Sequence, residues 1–365
     1  MISALFLAAA TLTVGRQEFP TYEFGDPDPT PLGWSRRYPY FAFSGYSDKA
    51  VQKKWQTVVL ENAKTRVTIM PEIGGKVWGA EDKATGHEYI YFNHVVKFRN
   101  IAQRGPWTSG GIELNTGITG HFPGGATPTD WWTRENGDGS VSYFCGGIEN
   151  VCRTFWQVEV RLGAEDDFFT TRMTRYNLSN LPTSSYQWMN AAYSAEHNAE
   201  FVFPGKDYIG HPGDPHRWPI DEGGRNIAFV ETNRFCGAKS YHAMNGDNGL
   251  FAIWYHDFNF GAYHQTERYD KYGRKIWLWP LSRNGGIWTD LLTDNDGNYT
   301  ELQSGRLFQQ PESSEESTFG YTVLDAGAHE EYVEKWGAVR DRATLDKMAT
   351  EFTADVSRPL ARPAD

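Results

Sequence analysis

Cysteine is nearly absent. Cys145, Cys152 and Cys236 are the three in a chain of 365 residues, an odd number without CxxC spacing, so neither a disulfide framework nor a thiolate metal centre underlies the fold. Cys145 and Cys152 could pair, although two small buried thiols are the simpler reading. Basic charge is also short: 35 Lys and Arg face 46 Asp and Glu, a net charge of −11. Such a surface repels a phosphate backbone, so nucleic acid is not an expected partner. No window is apolar for long enough to span a bilayer, so no membrane span is expected. The opening "MISALFLAAATLTVG" has the apolar length of a signal peptide but lacks the basic residues that normally precede one. Residues 1–37 therefore read as an export segment and extended lead of a periplasmic or secreted protein. The alternative is a cytoplasmic protein with a short buried strand there.

Aromatic residues and turn formers are plentiful: 14 Trp, 19 Tyr and 22 Phe stand with 37 Gly and 18 Pro, a mixture that suits sheets joined by tight turns. "WQTVVLENAKTRVTIM" alternates apolar and polar residues on either side of an Asn-Ala-Lys turn, a two-strand signal. The same pattern recurs in "CRTFWQVEVRLGAEDDFFTTRMTRYNLS", "NGLFAIWYHD", "RKIWLWPLS" and "NYTELQSGRLFQ". The expected fold is all-β, with antiparallel sheets sandwiched in one domain over residues 38–325. Residues 326–365, including "AHEEYVEKWGAVRDRATLDKMATEF", read as a helical tail with a disordered end.

Three polar stretches invite chemistry. In "RGPWTSGGIELNTGITGH" Glu113 follows two glycines, so a ligand could approach the backbone closely; a glutamate at a strand end is the plainer reading. In "DNDGNYTELQSGR" a turn delivers a strand whose alternation puts Tyr299, Glu301 and Gln303 on one face and Thr300, Leu302 and Ser304 on the other. In the third, Trp254, His256 and Phe258 share one face of "WYHDFNF", and Trp277 and Trp279 share one in "RKIWLWP". Sugar rings pack their C–H faces on aromatic planes while their hydroxyls need hydrogen-bonding partners, and this combination supplies both. His197, His211 and His216 match no zinc spacing, and no phosphate-cradling glycine loop or GxSxG elbow is present, so neither metal nor cofactor is expected.

The segments "IMPEIGGKVWGAEDKATGHEYIYFNHVVKF", "RGPWTSGGIELN", "TRMTRYNLSN" and "GRKIWLWPLSRNGGIWTDLLTDNDGNYTELQSGRLFQQ" together resemble a bacterial family of unknown function, of the DUF5107 type, often found ahead of tetratricopeptide repeats. That family resembles the galactose mutarotase-like β-supersandwich, which implies sugar binding on a concave sheet face. Epimerases of that fold carry an Asn-His-x-Tyr motif whose histidine protonates the ring oxygen. Here the segment reads Asn190, Ala191, Ala192, Tyr193, so that acid is missing, while Glu301 sits in a strand comparable with the one supplying their base.

These readings combine into a carbohydrate-active enzyme. A glycoside hydrolase acting on an oligosaccharide or glycoside through a Glu113 and Glu301 pair is the leading expectation, and it requires the two within about ten ångström. Asp130 and Glu149 are reserve carboxylates. Arg104, Trp107, Asn115, His121, Asn190, His256, His264, Trp279 and Arg283 are the expected sugar contacts. A non-catalytic sugar-binding domain, or an aldose epimerase-like enzyme with His121 or His256 as its acid, are the alternatives.

Overall fold

Period-two alternation in the sequence becomes, across strands, alternating rows of buried apolar and polar side chains. The computed structural model describes residues 9–31, 38–101, 105–117, 120–210, 214–233, 239–244, 249–266, 271, 273–279, 285–307 and 322–355. Among these, a 13-stranded sheet packs on an 8-stranded one. The middle of the larger sheet runs Lys239–Met244, Gly273–Leu278, Tyr299–Gly305, Trp188–Ser194, Ile112–Asn115, Lys76–Asp82. Its register places Val77, Ile112, Ala191, Leu302, Ile276 and Tyr241 side by side in one cross-strand row. That row is buried in the main core with Val158, Val160, Phe169 and Trp336 of the smaller sheet. One residue further along each strand the side chains point the other way.

Two boundaries differ from the sequence expectation. Thr11–Tyr22, expected within an extended lead, is a strand paired along its length with Val51–Glu61. His329–Val339, expected to be helical, is a strand of the smaller sheet between Phe168–Asn177 and Phe260–Thr266. It alternates as a strand should, with Tyr332, Glu334 and Trp336 all buried. The charged residue among these inward positions masks the pattern. Helix begins only at Arg342–Asp355, which packs near Leu250, Trp254 and Tyr263 through Leu345. The expected disordered end, residues 356–365, lies outside the described residues. Cys145 and Cys152 are free and buried, and Cys236 also lies outside the described residues.

Glu334 explains the placement of one expected sugar contact. His264 Nε2 lies 2.9 Å from its carboxylate, Lys271 Nζ forms an ion pair with it at 2.8 Å, and Ser304 Oγ donates to it. All of this is interior: His264, Lys271, Ser304 and Glu334 are each 1% exposed, and the His264 ring stacks on Trp336 at 3.9 Å. His264 is thus a core residue tied to Glu334 within the smaller sheet, and Glu334 reaches the larger sheet through Ser304. Burial pushes the Glu334 carboxyl up, but Lys271 and His264 outweigh it and hold it at about 2. Because this lies below the ordinary carboxylate value, the resulting stability is present above that value and lost as pH falls towards 2. Replacing Glu334 with Ala leaves a buried ammonium without its counter-charge, at an expected cost of about 3–5 kcal/mol. Urea unfolding at neutral pH checks this through a lowered midpoint; an unchanged midpoint contradicts it.

Candidate functional site

The polar face of the larger sheet is a second cross-strand row. Glu113 pairs with Asn190, Asn190 with Gln303, Gln303 with Lys275, and Lys275 with His242. In the neighbouring row Glu301 stands between Ala192 and Trp277. All of these belong to strands whose opposite face is the core row, so hydrophobic burial on one side fixes the polar constellation on the other. Lys76 belongs to the same face, one residue before the core position Val77.

Glu113 is the centre of the constellation. Trp107 Nε1 donates to its Oε1 at 3.0 Å, Asn190 Nδ2 donates to Oε2 at 3.1 Å, and His121 Nδ1 lies 2.9 and 2.8 Å from the two oxygens. The carboxyl is 6% exposed. Burial pushes it up, but His121 and the Lys76 ammonium outweigh burial and hold it at about 2. Lys76, 4% exposed, donates to the Thr108 carbonyl at 2.8 Å, and its amine lies 5.6 Å from both the Trp78 and Trp107 rings. Burial pushes the Lys76 amine down to about 8, opposed by Glu113 and Glu301.

Glu301 is in a different electrostatic state. Burial pushes its carboxyl up and Glu113 adds to the rise, while His121, the Asn190 amide and Lys275 oppose it. Gln303 Nε2 donates to its Oε2 at 2.6 Å. Asn190 interacts with both glutamates. Register puts the two on the same face of the sheet, on strands two apart, and their carboxyls shift in opposite directions.

The described residues of "RGPWTSGGIELNTGITGH", 105–117 and 120–121, bring two rings to this face. Trp107 and His121 approach from either side of the strand Ile112–Asn115, their rings 5.8 Å apart, and His121 also meets Trp188 at 5.2 Å. The expected reason for the glycines was ligand approach. Gly111 shows a different one: its φ is +64°, and a Cβ there would lie 2.1 Å from the Val77 carbonyl oxygen. The turn needs a residue without a side chain to bring Glu113 into register. Asn115 holds the loop's return, its Oδ1 accepting from the Phe122 amide at 2.7 Å.

Trp277, Trp279 and Trp288 form an aromatic wall beside Glu301, with Trp279 and Trp288 4.1 Å apart. Trp288 comes from the helix Gly285–Leu292. That helix is anchored by Lys97 Nζ donating to the Asp290 and Thr293 carbonyls and by Asn93 Nδ2 donating to Leu292.

Of the sequence-derived contacts, Trp107, Asn115, His121 and Asn190 gather around Glu113, and Trp279 stands in the aromatic wall. Arg104 and Arg283 lie outside the described residues. His256 is a correction: it follows the strand Leu250–Tyr255 of the smaller sheet, and its Nε2 lies 2.8 Å from Glu200. His264, in the core, is the other. Trp254 and Trp277, expected on one surface, belong to different sheets. Asp130 is exposed on an edge strand, and Glu149 accepts from the Val151 and Cys152 amides of its own turn. Lys76, Trp188, Lys275 and His242 were missed. For Lys76 a signal existed, a lone charge entering the buried run "KVWGA".

A family model described as a domain of unknown function, DUF5107, matches residues 33–339. The chain belongs to the DUF5107 family. Its structure is similar to that of a TPR-domain containing protein from Parabacteroides distasonis, 24% identical with a TM-score of 0.80, over 98% of this chain and 59% of that one. The DUF5107 chain thus spans about three fifths of that relative. A Klebsiella pneumoniae protein provisionally named an aldose 1-epimerase aligns over 97% of this chain and all of its own, at 11% identity and a TM-score of 0.59. A galactose mutarotase-like protein from Clostridium acetobutylicum aligns over 78% and 95%, at 9% and 0.52. At these identities the likeness shows the fold, a galactose mutarotase-like β-sandwich.

Removing the strongest opposing partner of Glu113, as in His121→Ala, should raise that carboxyl from about 2 and cost on the order of 1–3 kcal/mol at neutral pH. Ionised Glu113 stabilises the fold above the ordinary carboxylate value, and this contribution is lost as pH falls towards 2. The gap between wild type and variant in urea unfolding should therefore be widest near neutrality and shrink in acid. A constant gap across that range contradicts the assignment.

Proposed function

We propose that the DUF5107 chain acts on the anomeric centre of a sugar, interconverting its anomers with Glu301 as base and His121 as acid. The observation that carries this reading is the commitment of Glu113: both of its oxygens already accept donors from Trp107, Asn190 or His121. Such a carboxylate orients an imidazole rather than attacking a substrate. Burial raises the Glu301 carboxyl, the direction that makes a carboxylate a better base.

In the forward step Glu301 takes the proton of the anomeric hydroxyl as His121 gives one to the ring oxygen. The C1–O5 bond breaks and its electron pair stays on O5, leaving an open-chain aldehyde. Rotation about C1–C2 and reversal of both transfers closes the other anomer. The aromatic wall supplies stacking for the sugar's C–H face. Sugar association of the fold family supports the substrate class, and His121 stands in for the acid missing at Ala191, whose side chain belongs to the apolar core row.

The second reading is a glycoside hydrolase with Glu113 and Glu301 as its pair. It is supported by the opposite shifts of the two carboxyls, which would divide acid from base on one polar face.

Polarimetry on freshly dissolved aldoses, run beside a reducing-end assay on oligosaccharides, separates the two. The expected outcome is accelerated mutarotation without new reducing ends, and a loss of about a hundred- to ten thousand-fold in Glu301→Gln. Because the base form of Glu301 is needed, the wild-type rate should fall on the acid side at a pH above the ordinary carboxylate range. New reducing ends from wild type, lost in Glu113→Gln, select the hydrolase.

A further inference from the structure

The outer face of the smaller sheet carries an aromatic group that the proposed reaction does not use. Asp130–Glu135 is an edge strand of that sheet, paired with Val141–Glu149, which pairs in turn with Thr154–Leu162. Cys145 and Val158 stand opposite each other in the main core. The alternate positions Asp130, Trp132, Phe144, Gly146, Phe155 and Gln157 therefore point away from the core. Both sheets separate this face from Glu113 and Glu301.

Register puts Asp130, Gly146 and Gln157 in one cross-strand row and Trp132 with Phe144 in the next. Gly146 has no side chain, and a cleft of about 290 Å3 opens there, bordered by Trp132 and Phe144 and by Phe155. The hollow is built in, because a Cβ on Gly146 would lie 2.5 Å from the Trp156 carbonyl oxygen. Trp132 is 42% exposed although its ring lies 3.8 Å from that of Phe144, so much of the indole is open to a ligand. Neither the Asp130 carboxylate nor the Gln157 amide has a hydrogen-bond or ion-pair partner among the described residues. No described residue lining the cleft is a lysine or arginine.

We infer that this cleft is a second carbohydrate site, which holds one neutral pyranose ring of an oligosaccharide on the Trp132 indole while Asp130 and Gln157 take its hydroxyls. It stands apart from the anomeric-centre reading, since it lies on the opposite side of the sandwich and needs no turnover. The indole packs on the C–H face of the ring. A carboxylate accepts from hydroxyls and a primary amide both donates and accepts, so the two together suit neighbouring hydroxyl groups. Size limits the contact: small-ligand cavities begin at about 300 Å3, so the cleft takes a single ring and the rest of the glycan runs along the open edge strand. Charge selects the sugar. With Asp130 inside and no cation beside it, a uronate or a phosphorylated sugar is repelled. A protein surface closing over the cleft would desolvate that carboxylate without a counter-charge.

Calorimetric titration of the full chain with cellohexaose, maltohexaose, xylohexaose and hexagalacturonate tests this. The expected result is binding of a neutral hexasaccharide, with hexagalacturonate at least tenfold weaker. Trp132→Ala should weaken the neutral ligand by about tenfold or more, and Asp130→Ala, at an exposed position of the edge strand, should weaken it as well. Circular dichroism spectra matching wild type exclude misfolding as the cause. Failure of every neutral hexasaccharide to bind, an affinity unchanged in both variants, or hexagalacturonate bound as tightly as the neutral ligands overturns the inference. Sedimentation of the same samples without sugar provides a further check: a dimer that becomes monomeric in Trp132→Ala would assign the cleft to a second copy of the chain and overturn the sugar assignment.

Discussion

A single buried carboxylate organises the outer face of the large sheet. Glu113 is withdrawn from water, which raises the energy of its charged form, and it stays ionised only because His121, Lys76, Trp107 and Asn190 converge on it. Each partner comes from a different part of the chain: Lys76 and Asn190 from neighbouring strands, Trp107 and His121 from the segments before and after Glu113 itself. The compensation therefore works only when those strands are in register and that loop is closed. Folding and site assembly become one event, because the apolar row that fixes the register is the other side of the same strands.

Part of this was legible in the sequence. Alternation in "NYTELQSGR" placed Tyr299, Glu301 and Gln303 on one face, and the register agrees. Glu113 stood out because a carboxylate after two glycines in a strand is unusual, and His121 and Asn190 were identified as its company. What one sequence could not reveal is which strands lie side by side. Trp254 and Trp277 are close in sequence yet lie in different sheets, so His256 went to the wrong surface. Glu334 faces inward, and its charge made a core strand look like an amphipathic helix. The row from Glu113 to His242 is assembled from strands separated by long connections. Lys275 and His242 carried no local signal of belonging to it.

The departure at Ala191 has a physical account in the same terms. Ala191 points into the core between Ile112 and Leu302, where a histidine would be buried against apolar neighbours. Its neighbour Asn190 faces the site and serves both glutamates. In the proposed reaction the imidazole comes instead from His121, which meets Glu113. A shared fold with a rearranged acid fits general experience that sheets persist while the groups mounted on them change.

The central claim is that this outer face, and no other, receives the sugar at its anomeric carbon. A crystal structure of the protein with a bound aldose tests it most directly. The account predicts the anomeric oxygen within hydrogen-bonding distance of the Glu301 carboxylate, the ring oxygen facing His121, and Glu113 still joined to Trp107 and Asn190. An aldose bound only elsewhere, with this cluster closed and unchanged, would contradict it.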